Sequence, residues 1–127
     1  MKSQMKMLIV GVCGSMLVGM TLPVVADEVS PDIVASPEVY KVIAENDQMR
    51  VVLATWPAGY KDKVHSHPKM FATYTVKDCH RKLHKSDGTV DEKHLKAGSA
   101  RVVQPVKAHY FENVGKTECQ TVLFEMK

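Results

Sequence analysis

An all-β domain, a sandwich or closed barrel of short strands, is the fold class that three features of this chain predict. From Val39 onward the sequence breaks into short strand-like runs, and no stretch keeps helical period for long. Turn residues punctuate these runs at Glu45-Asn46-Asp47, Pro57-Ala58-Gly59, Ser86-Asp87-Gly88, Ala97-Gly98, Pro105 and Asn113-Val114-Gly115. Strands spaced about ten residues apart favour a sandwich or barrel. The third feature is length, because the part of the chain with this pattern is long enough for one core and too short for two.

The first 26 residues read differently. Lys2 and Lys6 form a positive start, residues 7–22 are apolar or weakly polar, and Val24-Val25-Ala26 offers small side chains before Asp27. This is the pattern of a cleavable secretory signal peptide over residues 1–26. The apolar run is short for a bilayer span and ends at Pro23. Cys13 is preceded by Val12 where a lipoprotein signal needs a small residue. The expected location is therefore the periplasm or the exterior, with no membrane attachment after cleavage.

Loss of the leader changes the electrostatics. The 17 Lys and Arg against 14 Asp and Glu give the whole chain +3, and removing Lys2 and Lys6 leaves +1, which does not support a nucleic-acid partner. Five of the eight methionines (Met1, Met5, Met7, Met16 and Met20) lie in the leader, so the methionine content is no sign of a copper-binding tract.

Residues 27–38, with Pro31 and Pro37 and few large apolar side chains, read as an extended N-terminal arm, and 39–127 as the β domain. Candidate strands are 40–44, 49–56, 63–67, 70–77, 80–85, 89–95, 101–104, 109–112 and 121–126, consistent with eight to ten in all. Ser86-Asp87-Gly88 marks the clearest hairpin, and the charged residues on both flanking runs suggest a ribbon open to solvent. Of the three cysteines, Cys79 and Cys119 lie beyond the leader. They are a candidate disulfide in an oxidising compartment. Neither belongs to a CxxC pair, which argues against cysteine-bound zinc.

The chemistry-bearing feature is His65-Ser66-His67 together with His109. Alternate residues of a strand share a face, so His65 and His67 project the same way with Cα atoms roughly 6–7 Å apart. If the strand that His109 opens pairs with theirs, a third imidazole completes a site for zinc, iron, nickel, copper or manganese. A histidine pair alone is more often a solvated strand face. His80, His84 and His94, in or beside the charged hairpin, read as surface residues of that kind.

The spacing around the pair changes its weight. Gly59, five residues, His65-x-His67, then Gly98, Pro105, His109, three residues and Asn113 follow the order of the two cupin motifs, and the chain from Val39 on resembles a small single-domain cupin. The resemblance implies a jelly-roll β-barrel with one divalent transition metal on His65, His67 and His109 and a small-molecule ligand or substrate. It also implies that the strand ending near Lys77 lies beside the last strand, bringing Cys79 close to Cys119. A homodimer, with the arm adding an edge strand to a neighbour, is a further implication.

The chain departs from the family at Ala72, where the motif has a glutamate ligand, and at Lys107, where it has a glycine. Tyr74 shares the face of Ala72 and is a candidate phenol near the metal, or else a tyrosine packed in the barrel. Phe71, Trp56 and Phe111 are candidates for core or pocket wall, and Asn113 for structural hydrogen bonding. Three neutral ligands leave a divalent ion its full charge, which favours an anionic substrate.

No GxSxG elbow, phosphate-cradling loop, HExxH or supported Cys-His pair is present, so no catalytic residue is assigned. Two functions stay open: a metal-dependent enzyme of oxygenase, isomerase or lyase type, and a non-catalytic metal- or ligand-binding module. A barrel whose histidines are relics is a third.

Overall fold

The computed structural model describes residues 29–127, and the proposed signal peptide lies outside them. Nine strands and one short helix follow in order: α1 Asp32–Ala35, β1 Tyr40–Glu45, β2 Met49–Trp56, β3 His65–His67, β4 Phe71–Lys77, β5 Cys79–Lys85, β6 Val90–Leu95, β7 Ala100–Val103, β8 Val106–Asn113 and β9 Cys119–Met126. They form two antiparallel sheets, β1-β2-β9-β4-β7 and β3-β8-β5-β6, which is a jelly-roll arrangement.

Period-two burial explains how the sheets close on each other. In β9, Cys119, Thr121, Leu123 and Glu125 are buried while the residues between them face outward. In β2 the inward set is Val52, Ala54 and Trp56, and in β4 it is Phe71, Thr73 and Thr75. The apolar members of these sets, with Val39, Tyr40, Cys79 and Leu95, make one core. The β5–β6 hairpin turns at Ser86-Asp87-Gly88, where Gly88 has φ 84° and Asp87 Oδ1 accepts the Thr89 N–H at 2.9 Å.

Cys79 and Cys119 are joined by a disulfide with Cα atoms 4.8 Å apart. It ties the first residue of β5 in one sheet to the first of β9 in the other. Closing a loop of 40 residues in the unfolded chain is worth about 4 kcal/mol in the chain-entropy treatment.

The N-terminal arm departs from the extended form expected of it. Its described part makes a one-turn helix, α1, and lies along β3 of its own chain: Ser66 N donates to Ser30 O, and Ser66 Oγ to Val29 O at 3.1 Å. The Ser36 hydroxyl accepts the Lys63 N–H at 2.9 Å. These bonds cover the edge of the second sheet. They also place Asp32 in the interior, with 1% of its surface exposed.

Candidate metal centre

The site is built where β3 meets β8. His65 stands directly opposite His109 in the ladder, while His67 pairs with Val106, so two steps along β3 match three along β8. The extra residue makes a bulge in the 106–109 segment, and a bulge re-aims the side chains beside it. The three rings come together with centroids 4.4 Å (His65–His109), 5.2 Å (His65–His67) and 5.3 Å (His67–His109) apart. They are 0%, 4% and 2% exposed for His65, His67 and His109.

The outer nitrogen of each ring is held by the protein. His65 Nδ1 lies 2.8 Å from the Lys63 carbonyl and His109 Nδ1 2.7 Å from that of Lys107. A carbonyl can only accept, so both Nδ1 atoms carry the proton. His67 Nδ1 donates to Glu125 Oε1 at 2.9 Å, and Arg50 holds Oε2 of the same carboxylate at 2.8 Å. Burial and then the attraction to His67 and Arg50 oppose each other at Glu125, and the attraction prevails, setting its carboxyl below the ordinary value.

The inner nitrogens are left with lone pairs. His67 Nε2 and His109 Nε2 are buried with no hydrogen-bond partner among the described residues. His65 Nε2 lies 3.2 Å from the Tyr40 hydroxyl, but that hydroxyl has one proton and gives it to Asp62 Oδ2 at 2.6 Å. Burial lowers the pKa of His65 to about 4, and burial with the His65 neighbour does the same for His109, so both rings are neutral at pH 7. Three unprotonated imidazole nitrogens sharing one buried space fit a divalent transition metal. One ligand atom from each ring lies within 4.8 Å of the others, and among the described residues no carboxylate joins that set.

Asp62 anchors the floor of the site. Its Oδ2 accepts from Tyr40 and, at 2.9 Å, from Trp56 Nε1, and its Oδ1 accepts the Phe111 N–H at 2.7 Å. Burial raises its pKa against these donors. Asp32 has no such help. Among the described residues neither of its carboxylate oxygens has a side-chain partner, and burial, then the charge of Glu125, push its pKa up to about 6.

A cavity of about 120 Å³ opens from the histidines into the barrel, with Phe71, Phe111, Trp56 and Leu123 in its wall. Two sequence expectations are corrected here. Ala72 does not face the metal position: β4 turns its odd-numbered residues inward, and Ala72 lies outward between Val102 and Phe124. Phe71 takes the inner place, its ring stacked on His67 at 4.4 Å. Tyr74, on the same outward face as Ala72, is 45% exposed and is no part of the cavity wall.

Asn113 does the structural work expected of it, donating to the carbonyls of Trp56 and Thr117, both at 2.9 Å, and accepting from Gly115 N at 3.0 Å. Glu125 and Asp62 were not singled out from the sequence. A carboxylate two residues beyond Leu123 on the inward face of the last strand was the available signal for Glu125.

No family model matches the chain, and no curated protein matches it. Solved structures do. A cupin domain from Bordetella pertussis is 20% identical with a TM-score of 0.64, over 70% of this chain and 92% of that one. An uncharacterized conserved protein with a double-stranded β-helix domain from Klebsiella pneumoniae is 25% identical with a TM-score of 0.54, over 68% and 73%. A cupin superfamily protein from Desulfitobacterium hafniense is 11% identical with a TM-score of 0.52, over 69% and 75%. The described domain has the fold of a small cupin-type domain.

Proposed function

We propose that this cupin-type domain holds one divalent transition metal on His65, His67 and His109 and works as an exported small-molecule site in the periplasm. The observation that carries the reading is the orphaned pair of buried nitrogens, His67 Nε2 and His109 Nε2. Leaving a buried polar atom unpaired costs on the order of 1–3 kcal/mol, and two such atoms on neighbouring rings are satisfied together by one ion. A metal bound there supplies Lewis acidity or a centre for oxygen chemistry, the basis of an oxygenase, isomerase or lyase.

The protein's own groups hold and orient. Glu125 and the Lys63 and Lys107 carbonyls fix the tautomer and aim of the rings. Phe71 and Phe111 wall the space beside them against water. A non-catalytic binding module is the second reading, and one observation favours it: Asp62 is committed to three donors and Glu125 to His67 and Arg50, so neither carboxylate is free to move a proton.

Elemental analysis of the protein purified from its native compartment tests the reading. About one metal per chain in the wild type, lost in His109→Ala, is expected. A wild-type protein that folds but retains no stoichiometric metal after metal supplementation overturns it.

A further inference from the structure

The interior of the barrel carries two positive charges that the three-histidine site does not use. β5 turns Arg81 and Leu83 into the cavity, and β7, from the opposite sheet, turns in Arg101 and Val103. Among the described residues neither arginine makes an ion pair or a side-chain hydrogen bond, whereas Arg50 is held by Glu125. Of the other charged residues at the cavity, Asp91 is bound to Lys85 at 2.7 Å and Lys93 adds a third positive charge.

Partly buried guanidiniums that line one cavity are costly, and proteins keep them seldom without a counter-charge. Burial, then the nearby Arg101, lower the pKa of Arg81 to about 10 against the weaker pull of the Asp62 carboxylate, whose oxygens are already taken by Tyr40, Trp56 and the Phe111 N–H. Arg81 is nevertheless held in place, its Cζ 4.3 Å over the Phe111 ring. Stacking on an aromatic face leaves the in-plane N–H groups free for an acceptor, and their fork matches a carboxylate.

We propose that Arg81 and Arg101 read a carboxylate on the bound molecule, so that this site takes a small dicarboxylate, one end toward the histidines and the other between the two arginines. The route between the ends is short. Phe111 lies 5.3 Å from the His109 ring and 4.3 Å from Arg81 Cζ, so those two steps bound the distance from imidazole to guanidinium. Trp56, Leu83, Val103, Val106 and Leu123 line the space with hydrocarbon, which suits a short methylene chain. The inference rests on the three-histidine reading for one end of the ligand only.

Calorimetric titration of zinc-loaded and of metal-free protein with dicarboxylates from malonate to adipate, each against the monocarboxylate of equal carbon number, tests it. The expected result is at least one dicarboxylate that binds roughly tenfold or more tighter than its monocarboxylate, as one charge-assisted hydrogen-bonded contact would give. In the zinc-loaded protein Arg81→Gln and Arg101→Gln should each cut that advantage by several-fold, with circular dichroism confirming the fold. The proposal is overturned if no dicarboxylate gains more than about threefold, or if the gain survives in both variants. Should zinc fail to bind, the metal reading falls, whereas carboxylate binding by the metal-free protein that is lost in Arg81→Gln and Arg101→Gln still upholds the arginine end of this one.

Discussion

The described chain carries six histidines in two groups of three, one inside the barrel and one, His80, His84 and His94, on the β5–β6 ribbon, and where the ribbon rings are hydrogen-bonded they use the opposite nitrogen. Inside, each Nδ1 is taken by a carbonyl or carboxylate, and the Nε2 atoms of His67 and His109 are left without a partner among the described residues. On the surface the arrangement is reversed: His80 Nε2 lies 2.5 Å from Glu92 Oε1 and His84 Nε2 3.0 Å from Glu112 Oε2. His80 and His94 face each other across the ladder with rings stacked at 3.8 Å, and with Glu92 they lie as close together as the buried trio. Proximity is therefore not what separates a site from a surface. The difference lies in whether the protein has already used the nitrogens that converge, and in whether water can satisfy them instead.

The largest effect expected from breaking this contrast is at a buried ligand. His109→Ala should lower metal affinity by more than the ~10–100-fold typical of losing an outer-shell partner, read by competition with a chelating dye. Acid is the next lever. His65 and His109 have folded pKa values of about 4 against 6.5, so the unfolded chain takes up protons between pH 6.5 and 4 that the folded chain refuses, and metal-free stability falls as pH falls through that window. Each contributes at most roughly 3 kcal/mol. Asp32 works the other way, because its folded pKa of about 6 exceeds 3.8 and it gains stability as pH falls from 6 to 3.8. With two histidines against one aspartate, a net loss of about 3 kcal/mol is expected on acidification to pH 4, measured by urea denaturation. Stability unchanged between pH 7 and pH 4 would show that the buried rings are not held neutral.

A smaller effect is expected at Glu125. Glu125→Gln keeps an acceptor for His67 Nδ1 but removes the charge, and affinity should fall by roughly 10–100-fold while all three imidazoles stay bound. The smallest belongs to the ribbon. A His80→Ala, His94→Ala double variant should leave the first equivalent of metal bound as tightly as in the wild type, and a loss comparable to that of His109→Ala would mean the wrong trio has been identified.

How much of this was legible in the sequence follows from what depends on local spacing. The strands and their turns follow from period and turn chemistry and could be read directly, whereas the joining of His65, His67 and His109 into one site rested on the likeness of Gly59, His65-x-His67, Pro105, His109 and Asn113 to the cupin motifs. Ala72 and Tyr74 were misplaced because facing is a matter of register: β4 begins at Phe71 and pairs Phe71 with Glu125, and that pairing decides which residues turn inward. Asp62, Arg81 and Arg101 stayed invisible for a related reason, since one lies outside any strand and the other two meet only when the opposite sheets close. The helix at Asp32–Ala35 is a single turn held by contacts to β3, and local sequence does not announce such a turn.

X-ray absorption at the zinc edge, on protein loaded with one equivalent of zinc, addresses the convergence of His65, His67 and His109 most directly. Three imidazole shells with Zn–N near ~2.0–2.1 Å, diminished in His109→Ala and untouched in the His80→Ala, His94→Ala variant, are the predicted result. Fewer than three imidazoles, or a signal that persists in His109→Ala and disappears with His80 and His94, would contradict it.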